Sequence, residues 1–183
     1  MCRRLRQSKA VRRTILLSIL LAGGVWAGCQ KSAPAAPPVD ENSLSGLPTH
    51  AQPKLRTTKL YLGAETLDAE LALSPREIET GMMFRTNIQD SDSMLFDLRV
   101  PQRAEFWMKN CPESISAAYI TSDGTIQEIH HLEKYDTNSV VAGRDDIIFV
   151  LETSDGWFGR HHVGVGTVIQ SQKGPLAKVF LGR

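Results

Sequence analysis

The segment Phe106-Trp107-Met108-Lys109-Asn110-Cys111 sets an indole, an ammonium, an amide and a thiol side by side. A cation and an amide next to an aromatic wall suit a carboxylate or sugar ligand. The plainer reading is a strand end, with Trp107 in the core and Lys109 reaching solvent along its alkyl stem. Arg85 and Glu152 either join this cleft or pair on the surface, the commoner fate of such charges. Trp107, Lys109, Asn110, Arg85 and Glu152 are therefore the candidate ligand-binding residues. Cys111 with His130 or His131 has the residue types of a thiol nucleophile and its base. Such a site needs hydrogen-bond contact and an orienting group, which sequence separation does not supply. A buried, inert thiol is the better expectation for Cys111. His161-His162 lacks the spacing of a zinc pair, so no metal is expected. No residue is assigned a catalytic role, and no cofactor is expected.

These side chains hang on elements that the sequence signals locally. Ser74-Pro75-Arg76-Glu77 has a capping serine, a proline suited to the first helical position and a glutamate that closes a capping box. With Gly81 at its exit this is one short helix. Ile78 and Met82, four apart, share its buried side, which makes Met82 and Met83 core residues. Lys59 to Leu73 alternates apolar and polar positions about a turn near Gly63 and predicts a strand pair or one bent strand. Met94-Leu95-Phe96, Ala104 to Met108, Ile147 to Leu151, Val163 to Ile169 and Lys178 to Leu181 are short apolar runs expected as further strands. Ile115 to Thr121 and Thr125 to His131 flank Asp123-Gly124, a hairpin signal. A two-residue turn there places Ile120 opposite Gln127, Ala118 opposite Ile129, Ala117 opposite His130 and Ser116 opposite His131. Adjacent histidines on a strand point to opposite faces, so His130 and His131 cannot share one metal. The expected fold is α+β, predominantly antiparallel β, a barrel-like or sandwich domain with one or two short helices.

The N-terminus reads as an address. Arg3, Arg4, Arg6, Lys9, Arg12 and Arg13 precede an apolar run from Ile15 to Val25 and then Ala27-Gly28-Cys29. A basic start, a short apolar middle and small residues before the cut mark residues 1–28 as a secretory signal peptide. The run is shorter than the roughly 20 residues that span a bilayer as a helix. Small residues before Cys29 resemble a bacterial lipobox, in which that cysteine is lipidated and becomes the mature N-terminus. From 29 to 56 the chain is rich in proline and alanine, with Pro34, Pro37, Pro38, Pro48 and Pro53, and reads as a linker reaching about 30 Å. Residues 57–183 have the length of one domain. The whole chain carries +1, but removal of the basic leader leaves 15 basic against 20 acidic residues, a net −5. No basic stripe survives for phosphate contacts, so nucleic acid is excluded as a partner. Cys2 leaves with the leader and Cys29 takes lipid, so Cys111 is unpaired and the domain must be held by its core.

Several blocks together resemble the family known as domain of unknown function 192. They are Glu70-Leu71-Ala72, Ser74 to Glu77 with Gly81-Met82-Met83-Phe84-Arg85, Met94-Leu95-Phe96, Phe106 to Asn110 and Val150-Leu151-Glu152, in family order over residues 58–170. The resemblance implies a small, often exported domain and carries no established activity. It also implies acidic residues where this chain has Ser116 and Thr167, so a base or ligand supplied by those acids is missing here. The expected function is an exported, membrane-tethered envelope module that binds a small ligand or protein partner without catalysis. The alternative is a small envelope hydrolase or transferase using Cys111 and a histidine. Gln30, in place of the aspartate that retains many lipoproteins at the inner membrane, points to the periplasmic face of the outer membrane in a Gram-negative cell.

Overall fold

The computed structural model describes residues 46–182. The leader, Cys29 and most of the proline-rich stretch lie outside the described residues. Ten strands, two short α-helices and one π turn follow in order. The strands are β1 (Thr57–Leu62), β2 (Glu65–Ala72), β3 (Ser93–Gln102), β4 (Glu105–Phe106), β5 (Ile115–Thr121), β6 (Ile126–Leu132), β7 (Val140–Val141), β8 (Ile147–Ser154), β9 (Ile169–Ser171) and β10 (Gly174–Pro175). The helices are α1 (Pro75–Thr80) and α2 (Trp157–Arg160), and the π turn is Ala177–Leu181. Eight strands form one sheet in the order β10-β9-β1-β2-β3-β8-β5-β6, while β4 and β7 pair separately. Every pairing is antiparallel except β2 with β3, which α1 and the loop after it connect. The sheet curls until the start of β6 meets the approach to β9, through Ile126 N–H to Thr167 O (2.9 Å) and Ile169 N–H to Gly124 O (2.8 Å). The domain is α+β and barrel-like, as its strand pattern predicts.

Two apolar layers lie on opposite faces of this sheet. Leu60, Leu62, Leu95, Leu151, Phe149 and Trp157 fill the inside of the curl. Met82, Met83, Met94, Phe96, Met108 and Cys111 form the second layer, between the outer face and the segment after α1. The central strands are thus covered on both faces, which is why β5 and β8 are buried along their whole length. The capping box of α1 forms as its sequence predicts: Ser74 Oγ accepts from Glu77 N–H (3.2 Å), and Glu77 Oε2 accepts from Ser74 N–H (2.8 Å). Gln52 donates to Gly81 O (2.8 Å), and Leu55 N–H donates to Glu70 Oε2 (2.7 Å), so residues 52–55 lie against the domain.

The β5–β6 hairpin differs from expectation near its tip. Ala118, Ala117 and Ser116 face Ile129, His130 and His131 as predicted, but Ile120 faces Ile126. Thr121 pairs with Thr125 across the three residues Ser122, Asp123 and Gly124, and Asp123 accepts from Thr121 Oγ1 (2.7 Å) and Thr125 Oγ1 (2.9 Å). A bulge at Gln127 then restores the expected register. It also lets Ile126 and Ile129, three apart, pack into the same core, which an unbroken strand forbids. Gly124 sits at φ 88°, and a Cβ there would come within 2.6 Å of Ile169 O at the seam of the curl. Only glycine fits.

Three expected strands are corrected. Val163 to Ile169 is mostly loop, since Gly164 and Gly166 (φ 88°) break it, and only Ile169 enters β9. Lys178 to Leu181 is part of the π turn; Leu176, Phe180 and Leu181 cover the inner core on a helical spacing, and Phe180 meets Phe149 edge-on at 6.0 Å. Ala104 to Met108 keeps only the two residues of β4 in ladder conformation.

Candidate functional site

Paired residues on neighbouring strands point to the same face of a sheet. The ladders therefore align Glu70 (β2), Met94 (β3), Glu152 (β8), Ala117 (β5) and His130 (β6) in one row across the outer face. Glu152 is not a strand end, as its place after Leu151 suggests, but an interior residue of β8. Alternation along β8 sends Leu151 into the curl and Val150 and Glu152 to the outer layer. The Glu152 residue is 5% exposed, and among the described residues its Oε2 has no hydrogen-bond partner. Burial pushes its carboxyl up to about 8, against the opposing pull of the Arg85 charge. At neutral pH Glu152 is mostly a buried carboxylic acid.

This carboxyl forms part of the wall of a cavity of about 350 Å³, roofed by the end of α1 and by the segment from β3 through β4. Met82, Met83, Phe96, Phe106, Trp107 and Cys111 supply its apolar surface. Phe96 and Phe106 meet edge-on, with centroids 5.1 Å apart. Gly81 holds φ 48°, and a Cβ at that position would lie 3.3 Å from the Phe96 ring and 3.8 Å from Glu152 Oε2. The missing side chain keeps space beside the carboxyl. Gln102, Arg103 and Glu105 are exposed cavity residues, and Glu79, also on the wall, is paired with Arg76 (2.6 Å). The volume falls within the range of small-ligand sites.

The candidate residues separate. Trp107 and Glu152 share this cavity, and Trp107 is 38% exposed, so it is not the core residue that its sequence context suggested. The Lys109 ammonium sits 5.2 Å from the centroid of the Trp107 ring, but neither Lys109 nor Asn110 is part of the cavity wall. Asn110 is a turn residue at φ 60°, whose carbonyl accepts from Phe84 N–H (2.8 Å). Arg85 lies in a second, smaller hollow of about 200 Å³ with Gln52, Lys54, Glu70 and Asp92. Its guanidinium grips Glu70 with two bonds, at 2.6 and 2.9 Å. Although Glu70 is buried, these bonds and the Leu55 N–H hold its carboxyl below the usual range. Gly81, Phe96 and Phe106 belong to the cavity without having been candidates. The signal available for them was the pairing of an apolar strand with a helix that ends in glycine.

Cys111 is buried, and burial together with the nearby Glu152 pushes its thiol up to about 12. Its Sγ lies 3.7 Å from Lys109 O, and no histidine is among the cavity residues. His130 bonds Glu128 (2.9 Å) and packs on Tyr119. His131 bonds Asp155 (2.7 Å) and Glu133 (3.2 Å). His161 bonds Asp90 (2.6 Å) and stacks on Trp157. Among the described residues no three His, Cys, Asp or Glu side chains are grouped to hold a metal. At the two positions where the resemblance implied acids, Ser116 Oγ accepts from Gly156 N–H (2.9 Å) and Thr167 Oγ1 from Gly164 N–H (3.3 Å), both fixing local backbone.

No curated protein matches the chain. Among solved structures, it is similar to a Sinorhizobium meliloti 1021 protein named as a candidate transcription regulator. The two are 28% identical, with 63% of this chain and 92% of that one covered, at a TM-score of 0.58. It also shares its fold with a protein of unknown function from Novosphingobium aromaticivorans DSM 12444, at 23% identity, 74% and 99% coverage and a TM-score of 0.61. Residues 58–171, which hold nearly all of β1 to β9 with α1 and every residue on the wall of the larger cavity, match the model of an uncharacterized family, and the chain belongs to that family, domain of unknown function 192.

Proposed function

We propose that this protein is an envelope-facing binding module, without catalysis of its own, that is tethered to the membrane through lipid on Cys29 and takes a small ligand in the cavity beside Glu152. The observation that carries the binding reading is the unpartnered Glu152 oxygen on the wall of an aromatic-lined cavity. A buried polar atom without a partner is costly, and a ligand that satisfies it recovers that cost. The tether reading rests on the basic leader, its short apolar run and the small residues before Cys29. Gln30 favours the periplasmic face of an outer membrane. Among the described residues no helix is long and apolar enough to cross a membrane. The acidic balance behind the leader offers no basic face for DNA, which weighs against carrying over to this chain the transcription-regulator role named for the Sinorhizobium neighbour. The Cys111 and histidine alternative has less support, because the thiol is held protonated and no imidazole lines the cavity.

The test has two arms on the full chain. Expressed in a Gram-negative host, the wild type should incorporate labelled palmitate and sediment with membranes, and Cys29→Ala should abolish both. A thermal-shift screen against a small-molecule library should give stabilising hits that Trp107→Ala weakens. Membrane sedimentation unaffected by Cys29→Ala overturns the tether, and a screen without a hit that depends on Trp107 overturns the cavity reading.

A further inference from the structure

Resting on the cavity reading above, we infer that the ligand is a small organic cation, an ammonium carried on an apolar body, with its charge against Glu152 and its body among Phe96, Phe106 and Trp107. The cavity holds acidic groups at both depths: Glu152 inside, with Glu79 and Glu105 also on the wall. Among the described residues Arg103 is the one basic residue on its wall. Arg76 already offsets the charge of Glu79, but an anion would still have to approach past Glu105, whereas an ammonium is drawn to it. The aromatic rings add negative faces that attract a cation. Arg85 cannot fill this role itself, since both of its arms are committed to Glu70. Among the described residues no cation is bonded to Glu152, and its Oε2 faces the space beside Gly81.

The charged and titratable groups around Glu152 are Arg85 with its partner Glu70, the neutral Cys111 thiol, the Tyr119 hydroxyl, whose proton burial holds firmly, and His130 one place beyond Ala117 in the row. Of these, Arg85 alone favours the ionised carboxyl, so an arriving ammonium is the event that ionises it. Near neutral pH the ammonium binds already charged, and the Glu152 proton leaves to solvent. Affinity therefore rises with pH below about 8 and levels off above it.

Titration calorimetry of the full chain with phenethylammonium, 2-phenylethanol and phenylacetate, which share one apolar body, tests this inference. The ammonium should bind at least tenfold more tightly than the other two. Its affinity should rise about tenfold per pH unit between pH 6 and 7, and Glu152→Gln should abolish that slope and weaken binding at pH 8 at least tenfold. Equal or tighter binding of the alcohol or the carboxylate, or an affinity that is flat or falls with pH in the wild type, overturns the cation and leaves the cavity a binding site. Binding of none of the three overturns the inference, and the library screen then judges the cavity reading separately.

Discussion

Glu70 and Glu152 sit in one row of one sheet face, on either side of Met94, both nearly inaccessible to water, yet they are opposite kinds of residue. Glu70 has a bidentate arginine and a backbone N–H, and stays ionised. Glu152 has an oxygen without a partner and stays mostly protonated near neutral pH. Strand position and solvent accessibility are alike for both, although Glu152 is packed more deeply, so neither of the two properties by itself makes a site. The difference is whether the fold delivers a cation. The loop after α1 brings one guanidinium, Glu70 takes both of its arms, and the second acid is left facing a cavity.

The contrast breaks first at Arg85. Arg85→Ala should destabilise the domain by about 3–5 kcal/mol, because it strands the Glu70 charge in a buried site; chemical denaturation at pH 7 measures this, and a loss under about 1 kcal/mol would show Glu70 to be hydrated or protonated instead. Next come the opposite pH signatures. The Glu152 carboxyl is raised in the folded state, so the unfolded chain releases this proton first, and stability falls from about pH 4.5 towards 8. Glu70 is lowered, so its contribution is present above its ordinary value and fades as pH drops through the folded value. Urea midpoints at pH 4.5 and 7 should show Glu152→Gln gaining on the order of 3 kcal/mol relative to wild type between the two pH values, whereas Glu70→Gln should lose ground to wild type over the same interval. The smallest effect sharpens the role of the space beside Glu152. Gly81→Ala meets a strained positive φ and a Cβ close to Phe96, and should cost about 1–2 kcal/mol. An unchanged melting temperature in that variant would show that the helix exit relaxes without glycine.

Legibility in the sequence followed the range of the interactions. The capping box of α1 and the alternation along β1 and β2 were readable because they are set by residues a few places apart, while the structure decided that the two segments pair rather than form one bent strand. The lower half of the β5–β6 register was readable for the same reason, whereas the bulge at Gln127 was not, since it answers to a core contributed by distant strands. At the site, Trp107 and Glu152 were legible as candidates by type and do meet at one cavity. Lys109, Asn110 and Arg85 were equally suggestive and go elsewhere. Lys109 is drawn to the Trp107 ring, Asn110 to a left-handed turn and Arg85 to Glu70.

By itself the sequence determined the period-two strands, the capped helix, the glycine that ends it and the supply of acids and aromatic rings, all properties of neighbours along the chain. Tertiary structure alone decided that one glutamate would be neutralised and another left unpartnered. That outcome depends on which strands lie side by side and on how far a single arginine can reach, and both are set by contacts between residues far apart in sequence.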